Sequence, residues 1–510
     1  MTRISLCRTP AVAVAVAVLL TLAACGSSAV GASPSANGGQ YNSTNSGAET
    51  ATDAVSPASV PDGDWTRFDY NAQRSGVGPA RTGITRANLH TLRRRTVNID
   101  GTVDSSAIQL HGVRVKGGRR DVTLVTTTYG RTLAIDPRSG KGLWQFTPKD
   151  IGSFVGGAQI TTATPVADPD RRFVYTASPD GSIHKLSLAT GQSRWATRVT
   201  FDATHEKIAS ALNISGRWVV ATTGGYIGDA PPYQGHVVLI DRRSGHLAHV
   251  WNSLCSHRIH LVHPPSSCPA SDSAIWGRSG AVVEPGSGRI LVATGNAPFN
   301  GASDWGDTAV ELGPTLDPLR HWTPRNQQQL NQNDTDLGST SPAVLPGGLA
   351  VQGGKEGILS LLRLNRLPRM TGSGGHRLGG ELQNIDAPGR ALVFTAPAVW
   401  QHAKRTYLFV ATGGGTWAYV LKRARLHVVW KSGTPGTSPV VAGGLLYVYD
   451  PSGHMDILSP TTGHQLASLP AAGGHWNSPI VVGGRIILPV GDANSHATSG
   501  QLFIYHLPGR

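Results

Sequence analysis

The sequence is short of the features that mark several protein classes. Only four of its 510 residues are cysteine, at positions 7, 25, 255 and 268, so neither Cys-x-x-Cys nor Cys-x-x-Cys-His occurs. That removes the common zinc-ribbon spacing and covalent haem attachment. Charged residues make up only 15% of the chain, and acids are fewer than bases, 31 against 45, for a net charge of +14. One hydrophobic run, residues 11–24, is followed by no second span. No Ser-His-Asp arrangement or phosphate-cradling glycine loop is visible, because the Gly-Gly pairs sit in turn-like contexts. Glycine and proline are abundant instead, 63 and 33 residues. Both are poor in helix interiors and needed at tight turns, so this composition argues against a helical bundle and for many short strands. With 39% hydrophobic residues the chain can also bury a large core, which argues against wholesale disorder.

The amino terminus reads as an export signal. Arg3 and Arg8 precede the apolar run, and Leu22-Ala23-Ala24-Cys25 closes it. Fourteen residues at helical rise reach about 21 Å, short of a hydrocarbon core of about 30 Å, so residues 1–24 are expected to be cleaved rather than to span a membrane. Leu-Ala-Ala-Cys resembles a bacterial lipobox, which makes Cys25 the expected lipid-attachment site on the extracytoplasmic side of the cell membrane. An ordinary secretory signal is the alternative. Residues 25–64 are rich in Ser, Ala, Gly, Asn and Thr, with four acids (Glu49, Asp53, Asp62, Asp64) and no Lys or Arg, the composition of a flexible tether. In an oxidising envelope Cys255 and Cys268, thirteen positions apart, read as a disulfide. A metal site built from Cys255, His257, His260, His263 and Cys268 is the competing reading, but the spacing of these residues does not favour it, and the histidines are expected in a solvated loop.

Residues 65–510 hold 43 basic and 27 acidic groups, most of the bases being arginines scattered through turns such as Arg93-Arg94-Arg95, Arg119-Arg120 and Lys422-Arg423-Ala424-Arg425. Nucleic-acid binding would concentrate them on one face among aromatics, so no nucleic acid is expected. An arginine-rich solvated surface, or attraction to anionic lipid or an anionic wall polymer, fits better.

A strand, a polar turn with glycine and a tryptophan recur: LAIDPRSGKGLW ends at Trp144, HKLSLATGQSRW at Trp195, VLIDRRSGHLAHVW at Trp251, and a weakened copy spans residues 456–469. Turn glycines at 140, 191, 245 and 463 are separated by 51, 54 and 218 residues, the last being four times about 54. Tryptophans at 144, 195, 251, 322 and 430 keep the same beat. A period near fifty residues marks propellers and solenoids. Valine-rich period-two runs broken by Gly-Gly or Pro-Asp give about four strands per unit. Eight units can be counted, near 105–145, 160–196, 208–251, 278–322, 339–365, 395–431, 437–468 and 477–508. A lone four-stranded sheet cannot bury both faces, whereas sheets packed face to face in a ring can, so the expected fold is an all-β, eight-bladed β-propeller over residues 65–510. The recurring tryptophans then fill the space between blades. The opening segment, residues 65–76, is expected to close the ring with the strand at residues 501–506.

The Asp-x-x-x-Gly-x-x-x-Trp turns, together with the opening W-x-x-F-x-x-N-A-x-R-S-G, resemble the tryptophan-docking repeats of the pyrroloquinoline quinone (PQQ) propeller superfamily, which holds both quinoprotein alcohol dehydrogenases and BamB-type assembly lipoproteins. Ile275-Trp276-Gly277-Arg278, Ala293-Thr294-Gly295-Asn296 and the run from Asp334 to Pro342 follow the dehydrogenase order. The resemblance implies a Ca²⁺ and quinone site in which Asn296 is a ligand and Asp336, or alternatively Asp334, is the base that takes the alcohol proton. A third-blade carboxylate is also implied, but Tyr226 stands there, with Asp229 three positions on as a substitute. The adjacent cysteine pair of many such dehydrogenases is absent. The expectation is therefore a membrane-anchored binding or scaffold module for an envelope protein or anionic wall polymer. The alternative is a PQQ-dependent dehydrogenase of an alcohol or sugar, with Asn296, Asp334 and Asp336 at its PQQ and Ca²⁺ site.

Overall fold

The computed structural model describes residues 63–510, so the expected signal peptide, Cys25 and the expected tether up to residue 62 lie outside the described residues. No helix among the described residues is long and apolar enough to cross a membrane. Asp64 is already in the folded body, fully buried, with its carboxylate 2.8 Å from Arg171 Nε.

Eight four-stranded antiparallel sheets follow one another along the chain. Blade 1 runs from Ile108–Val115 to Gly142–Phe146, blade 2 from Val166–Ala167 to Ser193–Arg198, blade 3 from Asn213–Ser215 to Leu247–Asn252, and blade 4 from Val282–Val283 to Pro318–Trp322. Blade 5 starts at Ala343–Leu345, blade 6 at Ala398–His402 and blade 7 at Val440–Ala442, with outer strands Gln383–Asp386, Arg425–Ser432 and Gln465–Pro470. Blade 8 combines Ile480–Val482, Arg485–Val490 and Gly500–His506 with Arg93–Ile99. The eight-bladed propeller expected from the repeat is the fold. Strands such as Ser182–Ser187 and His236–Asp241 are buried along their whole length, as sheets covered on both faces require.

The repeated turn has a local cause. In blade 1 the Asp136 side chain accepts hydrogen bonds from the N–H groups of Arg138 and Ser139, 2.8 and 3.1 Å, and Gly140 N–H closes the turn on the Asp136 carbonyl at 2.7 Å. Just beyond it the pairing register shifts by a residue, and the same shift recurs in the last hairpins of blades 2, 3, 4, 6 and 7. The turn glycine then receives the tryptophan of the preceding blade. A Cβ at Gly191 would stand 2.5 Å from the Trp144 indole, and one at Gly463 2.5 Å from that of Trp430. In these two cases the indole N–H donates to a carbonyl of the same turn, Trp144 to Leu188 at 2.8 Å and Trp430 to Pro460 at 2.9 Å. Packing between blades is thus what these tryptophans do.

Two expectations are corrected. The ring is closed by Arg93–Ile99, which pairs along its length with Gly500–His506. The opening segment lies elsewhere, against the inner strands of several blades. Trp65 exchanges two backbone bonds with Gln109 of blade 1, Thr66 accepts from Ala167 of blade 2, Ala72 from Val283 of blade 4, Ser75 from Val399 of blade 6 and Gly76 from Val441 of blade 7. Arg74, almost fully buried, donates to the carbonyls of Phe68, Ala211, Leu212 and Ser279 at 2.8–3.1 Å. The segment is an axial plug: the inner strands leave edge groups unpaired around the axis, and an irregular segment satisfies them as a ninth blade could not. Blade 5 also extends beyond residue 365, because its outer strand arrives only at Gln383–Asp386.

Candidate functional site

The segments that lead into the inner strands converge near the axis. They line a cavity of about 340 Å³. Asp104 comes from the approach to blade 1, Lys207 from that to blade 3, Trp276 and Arg278 from blade 4, Asp334 and Asp336 from blade 5, Phe394 from blade 6, and His475 and Trp476 from blade 8. Each approach is the irregular end of the connection between one blade and the next, so its side chains are free to point at the axis.

Aromatic rings form one wall. Phe394 and Trp476 stack with centroids 5.0 Å apart, Trp276 lies 5.7 Å from Trp476, and His475 stacks on Trp476 at 4.0 Å. The Arg278 guanidinium sits 4.7 Å over the Trp476 ring.

Two ion-pair groups flank that wall. Asp104 Oδ1 is 3.0 Å from Arg278, its Oδ2 is 2.8 Å from His475 Nδ1, and the Ala493 N–H donates to it at 3.0 Å. Burial alone would raise the Asp104 pKa, but Arg278, His475 and that N–H outweigh it and hold the carboxyl well below the usual range. On the other side Lys355 Nζ lies 2.8 Å from Asp334 and 2.5 Å from Asp336. Asn296 joins the same group, its backbone N–H donating to Asp336 at 2.8 Å and its Nδ2 to Asp334 at 2.6 Å. Burial pushes Asp336 up, against the pull of Lys355. Asp307, behind this group, is pushed up to about 8 by burial, with Asp336 and Asp334 adding to the effect.

Lys207 differs from the other two cations. Its ammonium makes no ion pair and no hydrogen bond among the described residues, and it lies 5.5 Å from the Tyr226 ring. Burial lowers its pKa to about 8, with Arg278 contributing.

The structure therefore brings together the three residues expected from sequence, Asn296, Asp334 and Asp336, and places Tyr226 in the cavity wall. The Tyr226 hydroxyl donates to the Ala203 carbonyl at 2.8 Å, and Asp229 accepts from the Tyr233 hydroxyl at 2.8 Å. Sequence reading missed Asp104, Lys207, Lys355, Phe394, His475 and Trp476. The signal that finds them is position: each lies within a few residues before an inner strand, except Lys355, which lies in the turn between the second and third strands of blade 5. Cys255 and Cys268 form a disulfide, and His257, His260 and His263 beside it are exposed.

A Ca²⁺ and quinone pair does not fit this donor set. The Asn296 Oδ1 is a buried oxygen with no partner. The carboxylates beside it, however, already share the Lys355 ammonium, and the tyrosine in place of the third-blade carboxylate is turned to a backbone carbonyl. Among the described residues the groupings of three or more His, Cys, Asp or Glu side chains close enough for one ion are Cys255, Cys268 and Asp304, and Asp104, His475 and Asp492. The first holds the disulfide, and the second has Arg278 as its cation.

Residues 94–252 match the family model described as outer membrane protein assembly factor BamB. A search of the curated proteins matched nothing. Among solved structures, quinohemoprotein alcohol dehydrogenase from Comamonas testosteroni is similar with a TM-score of 0.64 at 14% identity, over 88% of this chain and 81% of that one. The quinohemoprotein alcohol dehydrogenase ADHIIG from Pseudomonas putida HK5 gives 0.63 at 14% identity over 89% and 83%. BamB from Moraxella catarrhalis gives 0.50 at 14% identity over 82% and 99%. At such identity the likeness is one of fold.

Proposed function

We propose that this chain, a PQQ-like β-propeller by its repeats, its sheets and the family model it matches, is a binding module tethered outside the cell membrane by a lipid on Cys25. Its axial cavity engages an envelope protein or an anionic wall polymer. The observation that carries this reading is the pairing inside the cavity. Lys355 bridges Asp334 and Asp336, Arg278 pairs with Asp104, and Lys207 alone of the three cations has no ion-pair partner among the described residues. Such a site has no cage for a hard cation but has a cation and ring faces for an anionic group on a partner.

A quinone-dependent dehydrogenase is the second reading, favoured by the unpartnered Asn296 Oδ1 beside two carboxylates. One experiment separates the two: calorimetric titration of the purified chain with PQQ and Ca²⁺, followed by thermal melts. The binding module gives no saturable heat and no shift. A ligand at a hundred times its Kd would add about 2.7 kcal/mol to stability, and that result, with dye reduction abolished by Asp336→Asn, would replace the proposal.

A further inference from the structure

A second concavity, which shares no lining residue with the cavity, lies in the groove between blades 8 and 1. It has a volume of about 510 Å³, and Arg119, Arg120, Arg138, Arg485 and Arg510 line it with His111, Asp121 and Asp136. Arg485 is 2% exposed and reaches a single carboxylate, Asp121, at 3.4 Å. That carboxylate also takes His111 Nδ1 at 2.6 Å and the Gly112 N–H at 3.2 Å. Asp136 spends its side chain on its own turn, accepting from the N–H groups of Arg138 and Ser139. Among the described residues the guanidinium groups of Arg119, Arg120, Arg138 and Arg510 make no ion pair and no hydrogen bond. The Nε–H groups of Arg120 and Arg485 are buried without an acceptor.

Like charges held this close repel, and a buried guanidinium N–H without an acceptor costs stability. Surface arginines ordinarily spread into solvent or find carboxylates; here five line one groove, and only Arg485 reaches acceptors, Asp121 and the Gly483 carbonyl, both at 3.4 Å. The burial of Arg485, reinforced by Arg138 and Arg510 and opposed by Asp121, holds its pKa below the usual guanidinium value, so the groove is short of negative charge. Planar guanidinium forks converging on a concave space of this size match the oxygens of a phosphate group better than a lone carboxylate, because phosphate offers three acceptors and up to two charges.

We propose that the groove between blades 8 and 1 is a phosphate-binding site, with Arg485 as its buried floor and Arg119, Arg120 and Arg138 as its walls. The phosphate belongs to a soluble phosphate compound or to a phospholipid headgroup, and two probes separate these sources. The full-length chain is titrated calorimetrically with inorganic pyrophosphate and, separately, with dihexanoyl phosphatidylglycerol below its micelle concentration. The same titrations are run on Arg119→Glu/Arg138→Glu, both exposed and so tolerable to the fold. They are repeated on Arg423→Glu/Arg425→Glu, which makes the same change in net charge on the exposed last hairpin of blade 6. At least one probe binds the parent chain, the groove variant weakens it tenfold or more, and the blade 6 variant stays within twofold. Pyrophosphate alone binding points to a soluble phosphate; the lipid alone, or the lipid more tightly, points to a headgroup. No binding of either probe, or equal weakening by both variants, overturns the site, the latter because net charge alone would then explain the attraction.

Discussion

Asp307 shows how the neighbourhood of one carboxyl can set a pH dependence. Its Oδ1 accepts the Leu337 N–H at 3.0 Å, its Oδ2 is buried without a partner, and its pKa is pushed up to about 8. The folded chain therefore keeps a proton that the unfolded chain gives up above about pH 4. Stability from this group is complete below pH 4 and is lost as pH rises towards 8, at about 1.4 kcal/mol per pH unit. Asp307→Asn removes that proton from the balance, so the stability of the variant relative to the parent should rise steadily between pH 5 and 8 in urea melts. Parallel curves would show that the carboxyl ionises normally. At this scale the sequence was only partly legible. Asn296, Asp334 and Asp336 stand in recognisable short motifs, and they do meet. Lys355, the cation between the two acids, stands in an unremarkable Gly-Gly-Lys-Glu-Gly turn, and nothing local marks its destination.

The last hairpin of a blade is the smallest unit whose sequence explains its structure. Aspartate caps the turn, glycine accepts a left-handed backbone, φ 75° at Gly191, and the register shift carries the tryptophan towards the next blade. Trp144, 9% exposed, rests on Gly191 of the following blade. Trp144→Ala should cost about 3–5 kcal/mol. Gly191→Val should also destabilise the parent, but much less once Trp144 has been truncated, because the valine then enters the emptied space. A double-mutant cycle by denaturant melts reads this coupling directly, and additive losses would mean that the two residues do not dock. The motif was legible because all its parts lie within about fifteen residues. Where it is missing, other residues take the place of the indole: Gln383 exchanges two hydrogen bonds with the Leu426 backbone between blades 5 and 6, at 2.8 and 3.0 Å, and Arg95 and Val97 cover Gly140 between blades 8 and 1.

Closure governs the whole molecule. Arg93–Ile99 completes blade 8 through seven residue pairs with Gly500–His506, so strands about four hundred positions apart hold the ring shut. Proline removes a ladder N–H, and alternate residues of an outer strand face the ladder. One of the two replacements in Thr96→Pro/Val97→Pro must therefore break the seam. That variant should melt at a clearly lower temperature and lose hydrogen-exchange protection first in residues 480–506; unchanged melting would mean that the seam carries no load. The sequence by itself determined the repeat, the number of blades, the docking turns and the Cys255–Cys268 pairing, because each is written in short-range chemistry repeated along the chain. Only the tertiary structure decided which strand shuts the ring, that the opening segment plugs the axis, and which side chains share the cavity and the arginine groove. Those groupings depend on how eight separate units are brought round one axis, and pairing across hundreds of residues leaves no periodic trace in the chain.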